Sequence, residues 1–218
     1  MNRRFDLVVF DWDGTIFDST AAIATAIQDA ARDVGCEVPP IERARHVIGL
    51  GLADALAYAV PGLQPADQPR LIEAYRHHWM RRATELVLFD GIRELIQTLH
   101  QQGRVLAIAT GKSRAGLAQA LAQTELATYF TATRCADQTN PKPHPAMLNE
   151  LLVECAVQAE RTVMIGDTTH DLQMATAARV AAIAVTYGAH PLNELEQAKP
   201  YAMAHSVAQL RAVLRDHG

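Results

Sequence analysis

The sequence predicts an α/β fold: a doubly wound parallel sheet, interrupted near its start by a small helical module. Three observations carry this. Short apolar runs recur at Leu7–Phe10, Val105–Ala109, Thr162–Ile165 and Ala182–Val185, and each reads as a strand buried on both faces. Segments of helical period lie between them, and strands alternating with helices imply a parallel sheet. From about Ile16 to Leu86 that rhythm breaks, leaving helical stripes and no central strand. The expected organisation is therefore a core made of residues 1–15 and 87–218 and a helical module of residues 16–86.

Taken in order, Leu7-Val8-Val9-Phe10 gives the first strand, cut off at once by Asp11. Ile23, Ile27, Ala30 and Val34 then fall on one helical face that Gly35 ends, and Pro39-Pro40 interrupts the chain. Further helices are expected around Ala53 to Ala59 and Leu71 to Arg82. Gly49-Leu50-Gly51 has no strand before it and reads as a loop or helix start in the module. Beyond it, Ile92, Leu95, Ile96 and Leu99 share a face, with Asp90 expected as cap and Gly103 as terminator. Pro145 suits a helix start, with Met147, Leu148, Leu151 and Leu152 on one side behind it.

Composition narrows the function classes. Of 218 residues, 49% are apolar and 20% charged, with a net charge of −4, which fits a globular protein and offers no basic excess for nucleic acid or anionic membrane. Cys36, Cys135 and Cys155 form no CxxC pair, so neither a zinc ribbon nor a disulfide framework is expected, and a reducing cytoplasm fits. No apolar stretch approaches the roughly 20 residues of a membrane helix. The nine histidines are scattered, and the adjacent His77 and His78 point apart on a helix.

Four polar clusters end apolar runs or open helices. Asp11-Trp12-Asp13-Gly14-Thr15 follows the first strand, at the kind of strand end where open α/β sheets bind ligands. Two carboxylates two residues apart can divide labour, one attacking and one moving protons, although an Asp-Gly turn closing a strand has the same form. Thr110-Gly111-Lys112-Ser113 opens a helix and reads either as an anion site or as a capped start with a solvated lysine. It is no ATP-binding loop, because Leu106 stands where that motif needs glycine. Lys142, stiffened between Pro141 and Pro143, is either a fixed positive charge for phosphate or a solvated loop lysine. Gly166-Asp167-Thr168-Thr169-His170-Asp171 places Asp167 at the same sheet edge as Asp11, where oxygen ligands suit Mg²⁺; the plainer reading is a capped, acidic helix start. Together the four supply nucleophile, acid/base, hydroxyl, cation and metal ligands, the inventory of phosphoryl transfer through an aspartyl-phosphate.

DWDGT, the Thr110 cluster, Lys142 and GDTTHD resemble, in order, the four motifs of the haloacid dehalogenase-like hydrolases. The resemblance implies a Rossmann-like catalytic core with a small helical cap, as in phosphoglycolate phosphatase-like members, and a cytoplasmic, Mg²⁺-dependent phosphatase of small phosphorylated metabolites. It makes Asp11 the nucleophile and a metal ligand, and Asp13 the acid/base, with its carbonyl on the metal. Asp167 would be a further ligand, and Asp171 would act through a metal-bound water. Thr110 and Lys142 would hold the phosphoryl group, with Trp12, Gly111 and Arg45 added as substrate contacts. Gly111 stands where Asn is common in the family.

Within the family, the presence of Asp13 excludes a dehalogenase. The lysines, Lys112, Lys142 and Lys199, put none in the insert, which excludes a Schiff-base phosphonate cleaver. A phosphomutase uses the same core, and a phosphate-accepting receiver-like protein from another class shares the acidic, Thr and Lys set, though it has no use for the insert. Specificity is expected from the insert, whose candidates are Arg43, Arg45, His46, Arg76, Arg81 and Arg82, with a carboxylate on a small substrate as one partner for these arginines. The partner expected is a small phosphate ester, not nucleic acid or membrane; no oligomeric state is specified.

Overall fold

A computed structural model describes residues 4–83 and 87–216. The expected module boundary at Leu86 and the C-terminal pair 217–218 lie outside the described residues. Among the described residues six parallel strands form one sheet: β1 (Leu7–Phe10), β2 (Val105–Thr110), β3 (Ala132–Cys135), β4 (Thr162–Gly166), β5 (Ala181–Val185) and β6 (Ala202–Ala204). Their order is β3-β2-β1-β4-β5-β6, so the strand order reverses between β1 and β4. In such sheets that reversal leaves a crevice outside the strands' carboxyl ends.

The apolar alternation explains why the sheet is covered twice. Within β1, Val8 and Phe10 enter one core while Leu7 and Val9 enter the other, because successive strand side chains point to opposite faces. The first core takes Ile92, Leu95, Ile96 and Leu99 from one helix (Ile92–Gln101), Leu117 from a second (Arg114–Thr124) and Leu210 from a third (Val207–Asp216). The second core takes Met147, Leu148 and Leu151 from the helix Ala146–Glu154, Leu172 and Met174 from Thr169–Ala177, and Leu195 from Leu192–Gln197. Asp90 does not cap the Ile92 helix: Gly91, in the left-handed region at φ 77°, occupies that position and no side chain bonds the exposed amides.

A third core lies apart from the sheet. Four helices build it, α1 (Thr20–Asp33), α2 (Ile41–His46), α3 (Leu52–Ala59) and α4 (Gln68–Ala83), around Ile27, Val47, Leu56 and Leu71. The chain leaves and re-enters side by side. The Asp18 N–H donates to the Val87 carbonyl at 3.0 Å, and the Phe89 N–H donates to the Ile16 carbonyl at 3.1 Å. Among the described residues no helix is long and apolar enough to cross a membrane.

Candidate active site

The two central strands deliver the carboxylates. Asp11 follows β1, and its N–H donates to the Ile165 carbonyl of β4 at 2.8 Å. Phe10 pairs with Ile165 in register, so Asp11 and Asp167 leave neighbouring strands almost level. Asp171 sits one turn into the helix Thr169–Ala177, where it completes a capping box: the Thr168 N–H and hydroxyl donate to its Oδ2 at 3.1 and 2.6 Å. Thr168 rather than an aspartate is thus the cap, Asp171 is the acidic residue of the first turn, and its other oxygen still faces Lys142. Lys142 places Nζ 2.7 Å from both Asp11 Oδ1 and Asp171 Oδ1.

This group is dry. Asp11, Lys142, Asp167 and Asp171 are at most 2% exposed. Burial pushes Asp11 up to about 7, with Lys142 opposing and Asp171 adding to the rise. Asp167 is also raised, by burial and then by the charges of Asp11 and Asp171, against the bonds from the Ala189 N–H and the Thr15 hydroxyl. Burial opposes the charge on Lys142, but Asp11 and Asp171 outweigh it and hold the ammonium protonated. One lysine thus faces three buried carboxylates, an arrangement short of positive charge.

The donor set fits a small divalent cation. One carboxylate oxygen from each of Asp11, Asp167 and Asp171 lies within 4.8 Å of the others, and Asp11 Oδ2, though buried, has no hydrogen-bond partner. All three are hard oxygen donors, which is what Mg²⁺ takes. Asp167 is held in place: Thr15 Oγ1 donates to Oδ1 at 2.8 Å and the Ala189 N–H donates to Oδ2 at 2.7 Å. A Cβ on either Gly14 or Gly188 would overlap its carboxyl group.

Asp13 is turned differently. Ser19 Oγ donates to its Oδ1 at 2.7 Å, and Lys112 Nζ lies 3.0 Å from its Oδ2. Lys112 is thus neither freely solvated nor among the three buried carboxylates. Its ammonium also rests 4.5 Å from the centre of the Trp79 ring on α4. The Thr110 hydroxyl is buried at the end of β2 and accepts the Lys112 N–H at 3.2 Å. Gly111 touches the helical module directly, since a Cβ there would strike the carbonyl oxygens of Gly49 and Leu50.

Two expected substrate contacts sit elsewhere. The Trp12 side chain is fully buried in the first sheet core, against Phe17 at 6.0 Å between ring centres, so only its backbone is left for a ligand. Arg45 is not on the cleft wall; its Nη2 donates to the Gly188 carbonyl at 2.9 Å and ties α2 to the segment that holds Asp167. Arg82 is likewise engaged, by Asp29 at 2.5 Å. Of the six module candidates, Arg76 alone lines the cleft.

Sequence reasoning missed Thr15 and Ser19 as supports, although Thr15 stands inside the first motif. It also left the histidines scattered, and three of them meet here. The His46 carbonyl at the end of α2 accepts from His170 Nε2 at 2.9 Å and from His190 Nε2 at 3.0 Å. The rings of His46 and His190 stack at 4.6 Å. The Thr169 N–H donates to His190 Nδ1 at 3.1 Å, which leaves the proton of a neutral ring on Nε2. Burial lowers both His170 and His190, the latter to about 4, with His170 next in effect. Positions 46, 170 and 190 share no motif, so only the tertiary fold brings them together.

A cleft of about 680 Å³ opens between the helical module and the sheet edge, with Asp13, Gly111, Lys112 and Pro141 on its core side. Asp11 and Lys142 are not on its wall, so Asp13 is where cleft and carboxylate cluster meet.

Residues 8–185 match the family model of the haloacid dehalogenase-like hydrolases. The chain is 34% identical over 212 residues to a protein of Dickeya dadantii named "Probable phosphatase IndB", covering 94% of this chain and 91% of that one. It is 31% identical over 224 residues to a phosphoglycolate phosphatase of Aliivibrio fischeri, covering 98% of each. A crystal structure from Haemophilus somnus, described as a predicted phosphoglycolate phosphatase, superposes with a TM-score of 0.86 at 22% identity, over 98% of this chain and 99% of that one. That superposition shows a shared fold over nearly the whole chain, and the family match includes Asp11, Asp167 and Asp171. The chain belongs to the haloacid dehalogenase-like hydrolase family, on its phosphoglycolate phosphatase-like branch, and is an enzyme of the phosphatase type.

Proposed function

We propose that the protein is a cytoplasmic, Mg²⁺-dependent phosphatase that hydrolyses a small phosphate monoester through an aspartyl-phosphate on Asp11. The observation that carries this reading is the buried Asp11 carboxylate, with one oxygen 2.7 Å from Lys142 and the other without a partner. Mg²⁺ held by Asp11, Asp167 and the Asp13 carbonyl, with Asp171 behind a water, would neutralise charge on the carboxylates and the phosphoryl group. Asp11 attacks phosphorus. Lys142 and the Thr110 hydroxyl hold the phosphoryl oxygens as charge moves onto them. Asp13, oriented by Ser19 and Lys112, protonates the departing oxygen and then takes a proton from the water that attacks the phosphoenzyme.

In this reading residues 16–86 act as a cap. Closed over the sheet edge, they keep bulk water from the acyl phosphate and admit only small esters. The relative named for phosphoglycolate supports a substrate of metabolite size. Phosphate release from a panel of small monoesters tests the activity. Asp11→Asn should lower it by a factor of about 10⁴ or more with the fold intact, since the amide is nearly isosteric but does not attack phosphorus. Unchanged release would remove Asp11 from the reaction.

A further inference from the structure

The cleft that begins at Asp13 has a composition that glycolate does not need. Its inner wall is formed by Ile23, Ile27, Val47 and Ile48, all under 9% exposed, and its α4 side by the half-buried Tyr75 and Trp79. Burial, and then the charge of Asp13, raises the Tyr75 hydroxyl, which therefore stays protonated and uncharged. The charged groups on the wall are three carboxylates, Asp13, Asp54 and Asp137, against two cations, Lys112 and Arg76. Lys112 is already committed to Asp13 at 3.0 Å, and Arg76 is exposed. Asp54 and Asp137 are exposed as well, so a leaving group bearing a carboxylate would meet one inner cation, Lys112, which is shared with Asp13, and otherwise apolar wall.

Size points the same way. At about 30 Å³ of liquid per water molecule, the cleft holds on the order of 20 waters. A two-carbon leaving group would fill little of it and leave wet apolar walls. Since the departing oxygen must sit by Asp13, the rest of the leaving group has to extend into this space.

We propose that the substrate is a phosphate monoester with an uncharged, largely apolar leaving group well beyond glycolate in size, seated between the Ile23–Ile27 wall and Trp79. This rests on the monoesterase reading of the same site, with Asp13 as the proton donor that fixes which way the leaving group points. The carboxylate expected for the module's arginines is thereby replaced, because Arg45 and Arg82 are spent on protein partners.

Calorimetric titration of the Mg²⁺-loaded protein with ethyl-, butyl- and hexylphosphonate, and with 3-phosphonopropionate as the carboxylated comparison, tests it without turnover. Each methylene that enters the cleft is worth about four-fold in affinity, so hexylphosphonate should bind roughly 15-fold more tightly than butylphosphonate. It should also outbind 3-phosphonopropionate. Trp79→Ala should flatten the series. Met80 is 60% exposed on the cleft wall, so Met80→Asp tests the same point with little risk to the fold and should weaken hexylphosphonate several-fold more than ethylphosphonate. A flat series in the wild type, or tighter binding of 3-phosphonopropionate, would overturn the proposal, as would a gain that survives both substitutions. Phosphate release from the matching alkyl phosphates is scored separately: a rising affinity series with no ester hydrolysed overturns the hydrolase reading and leaves the cleft's preference standing.

Discussion

Lys142 and the carboxylates around it form a closely spaced, buried group of charges. Its ammonium touches two of them at 2.7 Å, and all of these side chains are buried. Lys142→Met keeps the length and removes the charge. We expect kcat to fall by about 10²–10³, as when one donor to a developing oxyanion is lost. In metal-free protein, stability to urea should drop by about 3–5 kcal/mol, because the carboxylates lose their buried partner. A variant with wild-type turnover would show that the lysine serves packing alone. Mg²⁺ should raise the melting temperature, since an ion that binds only the folded state at 100-fold its Kd adds about 2.7 kcal/mol. Asp167→Asn should abolish that rise. Ca²⁺, with its larger and more flexible shell, should preserve part of the rise while failing to support turnover, because it can tie up both oxygens of Asp11. Equal rates with the two ions would refute the proposed place of Asp11 in the metal site.

At the scale of elements, the segment 188–190 joins the helical module to the carboxylate cluster. Its Ala189 N–H holds Asp167, its Gly188 carbonyl takes Arg45, and its His190 shares the His46 carbonyl with His170. The other meeting point is Gly111, where the module's Gly49–Leu50 carbonyls crowd the core. Gly111→Ala should push that loop outward and lower kcat/KM by about 100-fold, a penalty an ångström of misplacement can carry, with a lower melting temperature from the displaced backbone. A kinetically silent Gly111→Ala would show that the contact does not position the module. These junctions were not legible in the sequence. The buried central strands were, because Leu7–Phe10 and Thr162–Gly166 are apolar on both faces. The edge strands Ala132–Cys135 and Ala202–Ala204 were not, being three or four residues long and partly exposed. Helix α2 escaped notice because it has six residues and buries Ala44 alone. For the same reason the residues of the carboxylate–lysine cluster were readable and their supports were not: motif residues announce themselves by spacing, whereas Ser19, Ala189 and His190 matter only through contacts formed by folding.

Across the whole molecule, two cores cover the sheet and a third belongs to α1–α4. The reacting groups stand on the sheet, at the reversal of strand order, while the cleft's apolar wall stands on the helices. The proposed function thus divides chemistry and selectivity between separately packed parts. Leu56, fully buried in the third core, separates them: Leu56→Ala should cost about 2–5 kcal/mol and speed hydrogen exchange in α1–α4 more than in the strands. Exchange that rose equally throughout would mean that the molecule unfolds as one unit. The central claim is that the phosphoryl group passes through a covalent bond to one particular carboxylate. Rapid quenching of the enzyme during turnover, reduction of any acyl phosphate with borohydride and peptide mass analysis test it most directly. The account predicts homoserine at position 11 and nowhere else, with none formed when the ester is omitted. No homoserine during confirmed turnover, or homoserine at Asp13 or Asp167, would contradict it.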